Sequence, residues 1–283
     1  MSYELESVLK EIKRISRESG AILMRYFQSD SLVIRTKETV ADMVTQADIE
    51  SDHHIRDEIA RLFPDAGVIT EEGKNIAPKT EGENQVWFCA DPLDGTTNFS
   101  SGMPHFSVSI AMLDFKHDPL VGCIYDPNRD ELFYSIRGKG AFIENSKGTN
   151  QIHCRKDTNM INSLVVTGFN PSHVTSADNN IAELSAILPK VRCVRRLGSA
   201  CLDFCYVASS RLDAYWEKGP HIWDVAAGWL IAEESGAVVS NYEGKRFTKE
   251  YLAEPMLSIL VATPTIHQEL VQLIQGARKP FSQ

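Results

Sequence analysis

The residues best suited to chemistry lie in Asp91-Pro92-Leu93-Asp94-Gly95-Thr96-Thr97, directly after the apolar run Val86-Trp87-Phe88-Cys89-Ala90. That order reads as a buried strand opening into a tight turn. Two carboxylates leave the strand three residues apart. Pro92 fixes one backbone angle and Gly95 is free to take a left-handed one. Both acids can therefore turn to one side, and the amides of Gly95, Thr96 and Thr97 can point there as well. A hard divalent cation such as Mg²⁺ takes oxygen ligands, and free N–H groups at a helix start suit a phosphate. The pairing predicts metal-assisted phosphoryl chemistry. A solvated Asx-type turn is the alternative for any single Asp-Gly, but seven residues of this composition behind an apolar strand favour the functional reading.

Two other stretches deliver acids in the same manner. Gly67-Val68-Ile69-Thr70 reads as a short strand ending in Glu71 and Glu72, and Glu217 to Gly228 places Asp224 at the start of a helix just after another strand. Each acid has a bland alternative, since an acid in the first turn of a helix simply offsets the dipole; that holds for Asp224 and for Asp48, which follows Thr45 in a capping-box arrangement. Repetition of the pattern predicts a shared cleft. Clustered acids repel one another and stay partly protonated unless divalent ions neutralise them.

The elements that must position these residues can be read in chain order. Leu5, Val8, Leu9, Ile12, Ile15, Ile22, Leu23, Tyr26 and Phe27 recur at helical spacing and predict a long amphipathic helix. A short strand at 32–34 follows, then a second helix from Thr45 to about Pro64, on which adjacent His53 and His54 point in different directions and suit surface or packing roles. Residues 73–84 lack periodicity and read as a loop that could cover the site. Segments 106–115, 120–126, 131–136 and 141–144 predict an antiparallel meander, with Gly138-Lys139-Gly140 as a hairpin turn rather than a phosphate loop. Polar residues 145–150 read as a seam between an N-terminal lobe of about 1–150 and a C-terminal lobe of about 151–283 within one catalytic domain. Beyond it, strands at 163–167, 191–197 and 212–217 alternate with helices at 177–188, 199–210 and 222–235, the pattern of sheet covered by helices.

The chain has 283 residues, 43% hydrophobic and 24% charged, with a net charge of -9. This is ordinary globular composition, and the negative balance argues against broad nucleic-acid binding or an anionic membrane surface. The N-terminus lacks the basic start and apolar core of a secretory signal, no run reaches membrane-spanning length, and six scattered cysteines suit reduced core thiols. A cytoplasmic protein is predicted. Cys201 and Cys205 could share a helix face, but no matching pair accompanies them for zinc. Arg192, Arg195 and Arg196 form the densest basic spot, read as a solvated or ion-paired strand face.

Together with Glu71-Glu72, Asp91 to Thr97 and Gly198-Ser199-Ala200, the stretch Trp223 to Gly228 resembles the inositol monophosphatase family of Mg²⁺-dependent, lithium-sensitive phosphatases, from about Lys37 to about Leu260. Arg195 to Ala200 and Asp213 to Glu217 look like its bacterial branch. The resemblance implies a mixed α/β fold layered α-β-α-β-α, a homodimer, and two or three Mg²⁺ ions. It places Glu71, Asp91 and the Leu93 carbonyl on the first metal, and Asp91, Asp94 and Asp224 on the second. Glu71 would reach a third through water, with Lys37 and Asp42 at the flexible edge nearby. Thr96, backed by Asp48, would orient the attacking water, and the Gly95 and Thr96 amides would bind phosphate. Asp94, the Gly198, Ser199 and Ala200 backbone and Glu217 would meet substrate hydroxyls. Thr70 departs from the Gly that often precedes the Glu pair, and its branched side chain would narrow the first-metal pocket. The implied activity is hydrolysis of inositol 1-phosphate or a similar small polyol phosphate. Alternatives with the same metal site are histidinol-phosphate phosphatase, fructose-1,6-bisphosphatase and 3′,5′-bisphosphate nucleotidase; Thr96-Thr97-Asn98-Phe99 looks like the monophosphatase branch. A role from a different class, association with transcription machinery or RNA, is implied by bacterial members, with the acidic charge favouring a protein partner over RNA.

Overall fold

The computed structural model describes residues 3–29, 34–36, 43–170 and 175–278. Helix α1 (Leu5–Tyr26) buries Val8, Leu9, Ile12, Ile15 and Leu23 along one stripe, as the spacing predicts. A ribbon of β1 (Ile34–Thr36) and antiparallel β2 (Met43–Thr45) leads into α2 (Gln46–Leu62). Of the strand predicted at 32–34 only Ile34 is described. Thr45 and Asp48 close the capping box that starts α2.

Strand β3 (Gly67–Thr70) runs parallel to β4 (Trp87–Asp94), and the short helix α3 (Thr96–Ser100) follows the turn. The meander is β5 (Ser107–Leu113), β6 (Pro119–Asp126), β7 (Glu131–Ile136), β8 (Ala141–Asn145) and β9 (Gly148–Ile152), all in one seven-stranded sheet ordered β3-β4-β5-β6-β7-β8-β9. Gly138 and Gly140 take φ of +77° and +85° at the β7–β8 turn, where the Glu234 carboxylate accepts their amides at 2.7 and 2.8 Å. The segment at 145–150 is not a seam but a hairpin: Asn145 pairs with Gly148, whose φ is +106°, and the sheet continues to Ile152. Polar composition there marks a tight turn, which needs the same residue types as a linker.

The second half supplies β10 (Leu164–Thr167), α4 (Ile181–Ile187), β11 (Cys193–Arg195), α5 (Ala200–Ala208), β12 (Ala214–Lys218), α6 (Ile222–Glu234), β13 (Val238–Ser240), α7 (Lys249–Leu252), β14 (Ser258–Ala262) and α8 (Pro264–Arg278). Its sheet is ordered β11-β10-β12-β14-β13, with β10 parallel to both neighbours and β14 antiparallel to both of its own. Helix α4 begins four residues later than the 177 predicted. Asn180 takes φ of +69°, and its amide group donates to Thr167 Oγ1 at 2.7 Å and Gly168 O at 2.8 Å, which halts helical winding before Ile181.

Three apolar clusters define the layers. Helices α1 and α2 cover one face of the first sheet; α5 and α6 fill the space between the two sheets; α8, with Ile187 of α4, seals the far face of the second. The alternation is α-β-α-β-α. Close approach in the middle layer depends on Gly122 of β6, where a Cβ would lie 2.9 Å from the Ala227 carbonyl of α6. Among the described residues no helix is long and apolar enough to cross a membrane. The six cysteines are free thiols, five of them buried.

Candidate metal and phosphate centre

Strand β4 delivers the first two acids at its C-terminal end. Pairing with β5 slips between Asp91 and Asp94, because Asp91 opposes Ser109 while Asp94 opposes Ser107. That irregularity bends the strand end and frees both carboxylates from strict alternation. Gly95 then takes φ of +99°, and a Cβ there would lie 3.1 Å from His105 O and 3.2 Å from Gly198 O, so both conformation and space require glycine.

Asp94 is held by the start of α5. Its carboxylate accepts from Ala200 N at 3.1 Å, Cys201 N at 2.9 Å, Ser107 Oγ at 3.3 Å and, in a very short bond, Ser199 Oγ. The Ser199 hydroxyl thus binds a site carboxylate, as does the Ala200 amide, which belongs to the backbone stretch expected to meet substrate. Asn98 reinforces the junction by donating to His105 O at 2.8 Å, Leu197 O at 2.8 Å and Gly198 O at 3.2 Å.

Asp91 is 1% exposed and accepts the Leu93 amide at 3.0 Å. Burial pushes its carboxyl well above the usual range, and the charges of Glu71, Asp224 and Asp94 add to the push. Asp224, in the first turn of α6, accepts from His221 N at 2.6 Å and is also raised, by burial first and then by Asp94, Glu71 and Glu217. Asp94 is raised by burial against the pull of its hydrogen bonds. Glu71 thus acts electrostatically on acids from two other segments, as a shared cleft requires.

Thr96 Oγ1 lies 3.1 Å from both Asp48 Oδ1 and Leu93 O. The other oxygen of Asp48 accepts from Thr45 N at 2.8 Å and Thr45 Oγ1 at 2.5 Å. Burial, with Glu71 adding, lifts the Asp48 carboxyl to about 6 despite those bonds. Asp48 is thus both helix cap and Thr96 partner.

Glu217 is half-buried at the end of β12, where it accepts from Tyr215 Oη at 2.6 Å and packs so closely on Gly168 that a Cβ there would lie 2.0 Å from its Oε2. Burial, with Asp94 adding, raises its carboxyl to about 7 against Tyr215 and Arg196.

The donor set fits a hard cation. Oxygens dominate, and the burial that disfavours their charge is relieved by a divalent ion. Asp91, Asp94 and Cys201 bring one ligand atom each to within 4.8 Å of one another. Cys201 is a protonated thiol, raised by burial and by Asp94, Asp91 and Asp224, and it donates to Asp224 O at 3.3 Å. Cys205, also raised by burial, is a core thiol.

Sequence reasoning passed over Asp203, Asn98 and Ser107. Asp203 is 1% exposed on α5, raised by burial and by the charges of Glu217 and Asp94. An acid within the apolar run Ala200 to Ala208 was the available signal. Lys37 and Asp42 lie outside the described residues. His54 meets Glu18 at 3.1 Å, a packing role. Arg192 donates to Asn162 Oδ1 at 3.1 Å and Arg196 to Phe169 O at 3.3 Å.

Comparison with known proteins agrees with this geometry. The inositol monophosphatase family model matches residues 4–279. Nus factor SuhB of Haemophilus influenzae is 38% identical over 232 residues, covering 81% of this chain and 83% of the relative. Inositol-1-monophosphatase of Synechocystis is 36% identical over 254 residues, 88% of this chain and 83% of the relative. Among solved structures, the extragenic suppressor protein suhB from Bartonella henselae superposes with a TM-score of 0.84 at 32% identity, covering 95% of this chain and 98% of that one. Inositol monophosphatase from Anabaena gives 0.81 at 33%, covering 96% of each.

Proposed function

The chain belongs to the inositol monophosphatase family, and from that premise we propose that it is a Mg²⁺-dependent phosphomonoesterase acting on inositol 1-phosphate or a similar small polyol phosphate. The observation that carries this reading is the convergence of Asp91, Asp94 and Asp224, where Asp94 raises the proton affinity of the other two and Asp224 that of Asp91, beside the Thr96–Asp48 pair. Glu71, Asp91 and the Leu93 carbonyl would hold one ion, Asp91, Asp94 and Asp224 a second, with a third near Glu71. When bound, the ions supply charge neutralisation at the phosphate and ease deprotonation of water.

The chain's own groups do the rest. Ionised Asp48 accepts from Thr96 Oγ1 and so leaves the lone pairs of that hydroxyl to receive a hydrogen bond from water, which fixes the water's approach to phosphorus. The Gly95 and Thr96 amides bind phosphate, and Glu217 with the loop at 198–200 faces the polyol. Attack is direct, without a phosphoenzyme. We place the activity in one catalytic domain, in a cytoplasmic homodimer. Histidinol phosphate, fructose 1,6-bisphosphate and 3′,5′-bisphosphate nucleotides are the competing substrates. Phosphate release across a panel of these esters, with Mg²⁺ and with EDTA, tests the reading; no Mg²⁺-dependent release from any of them would overturn it.

Relatives named Nus factor SuhB favour a second reading, a protein contact with transcription machinery. Comparing capture of purified transcription factors by wild type and Asp94→Asn separates it from catalysis, since only catalysis needs the acids.

A further inference from the structure

Thr70 ends β3, and the pleat of the strand sends it to the same side as Val68, which packs with α1 and α2; Ile69 packs on the other side with α5 and α6. Its branch is therefore turned toward α2. What it meets is Arg56 of α2, whose Nη1 donates to Thr70 Oγ1 at 3.0 Å. The same guanidinium donates through Nη2 to Lys74 O at 2.8 Å. Gly73 packs against it so closely that a Cβ would lie 2.4 Å from Nη1. One turn earlier on α2, buried Asp52 lies 3.8 Å from Arg56 Nε and orients the fork.

The chain between these two anchors is the one that carries Glu71 and Glu72. Past Lys74 it folds back, and Ile76 pairs with Val68 through amide bonds of 2.8 and 2.9 Å. Arg56 thus spans the mouth of a closed loop and is bonded on both sides of the two acids. A planar, permanently charged fork suits this task, because two acceptors at fixed separation are satisfied by one rigid group. We infer that Arg56 is a positioning residue: it straps the loop at 70–74 so that Glu71 is presented to the cation before the cation arrives. The inference rests on the proposed metal-dependent activity. Its physical basis is preorganisation, since a loop already ordered loses less freedom on binding.

The test is Mg²⁺ titration of wild type, Arg56→Ala, Arg56→Lys and Thr70→Val without substrate, read by metal-induced thermal stabilisation, alongside Mg²⁺ activation of phosphate release. Arg56→Ala should raise the half-saturating Mg²⁺ concentration roughly tenfold, about 1.4 kcal/mol, in both readouts. kcat at saturating Mg²⁺ should fall less than threefold. Arg56→Lys, a single point charge that cannot bridge both acceptors, should lie between. Thr70→Val should reproduce part of the shift even if Arg56→Ala fails to fold. Half-saturation within twofold of wild type in the folded variants overturns the inference alone. A wild type with no Mg²⁺-dependent stabilisation or activity overturns the proposed function and this inference with it.

Discussion

Replacing Glu217 with glutamine keeps the side chain's shape and the acceptor to which Tyr215 Oη donates at 2.6 Å, but removes the charge. The folded protein holds this carboxyl at about 7 rather than 4.5, chiefly through burial, so ionisation costs the fold. The sign follows from linkage. A raised carboxyl leaves stability intact below about pH 4.5 and removes it as pH rises through about 7. At about 1.4 kcal/mol for each tenfold change in proton affinity, the full cost is about 3 kcal/mol. Urea unfolding of the metal-free protein at about pH 5 and about pH 8 should therefore show Glu217→Gln close to wild type in acid and more stable than wild type in base. At saturating Mg²⁺, kcat/KM for inositol 1-phosphate should fall ten- to hundredfold, since a charge-assisted hydrogen bond is worth ~1.5–3 kcal/mol, while p-nitrophenyl phosphate hydrolysis barely changes. A stability difference that does not grow with pH would refute the burial reasoning. Equal catalytic losses on both substrates would move Glu217 from recognition to framework.

Asp91→Asn should abolish Mg²⁺-dependent phosphate release while leaving the circular dichroism spectrum native; full activity in that variant, or of wild type in EDTA, would sink the metal assignment. Millimolar lithium should inhibit uncompetitively at subsaturating Mg²⁺, as the family resemblance implies, and an unchanged steady-state rate would count against the lithium-sensitive branch. Because ionised Asp48 is the stronger acceptor for Thr96 and its carboxyl is raised to about 6, kcat/KM should decline as pH falls through that value; Asp48→Asn should have low activity without that acid limb. Gly95→Ala forces a side chain into φ of +99° against two carbonyls and should cost about 1–3 kcal/mol in urea unfolding, with activity lost as the turn shifts.

Much of this molecule was legible locally. The apolar stripe of α1, the capping box of Thr45 and Asp48, the glycine turn after β4 and the meander all depend on residues a few positions apart, where periodicity and backbone preference act directly. The acids were legible as types at strand ends. Their partners were not. Asp94 is bound by Ser199, 105 residues away, because packing of α5 between the sheets brings its first turn to the end of β4. Asn180 stops the winding before α4 only because Thr167, and Tyr242 at 3.0 Å, stand where its side chain reaches. The polar run at 145–150 satisfies a hairpin and a linker equally, and pairing of β8 with β9 chose the hairpin. Thr70 reads in isolation as an obstruction beside Glu71. The pleat of β3 and the placement of α2 turned it into an anchor for Arg56, because which face a residue occupies is local, while what waits on that face is set by the packing of distant elements.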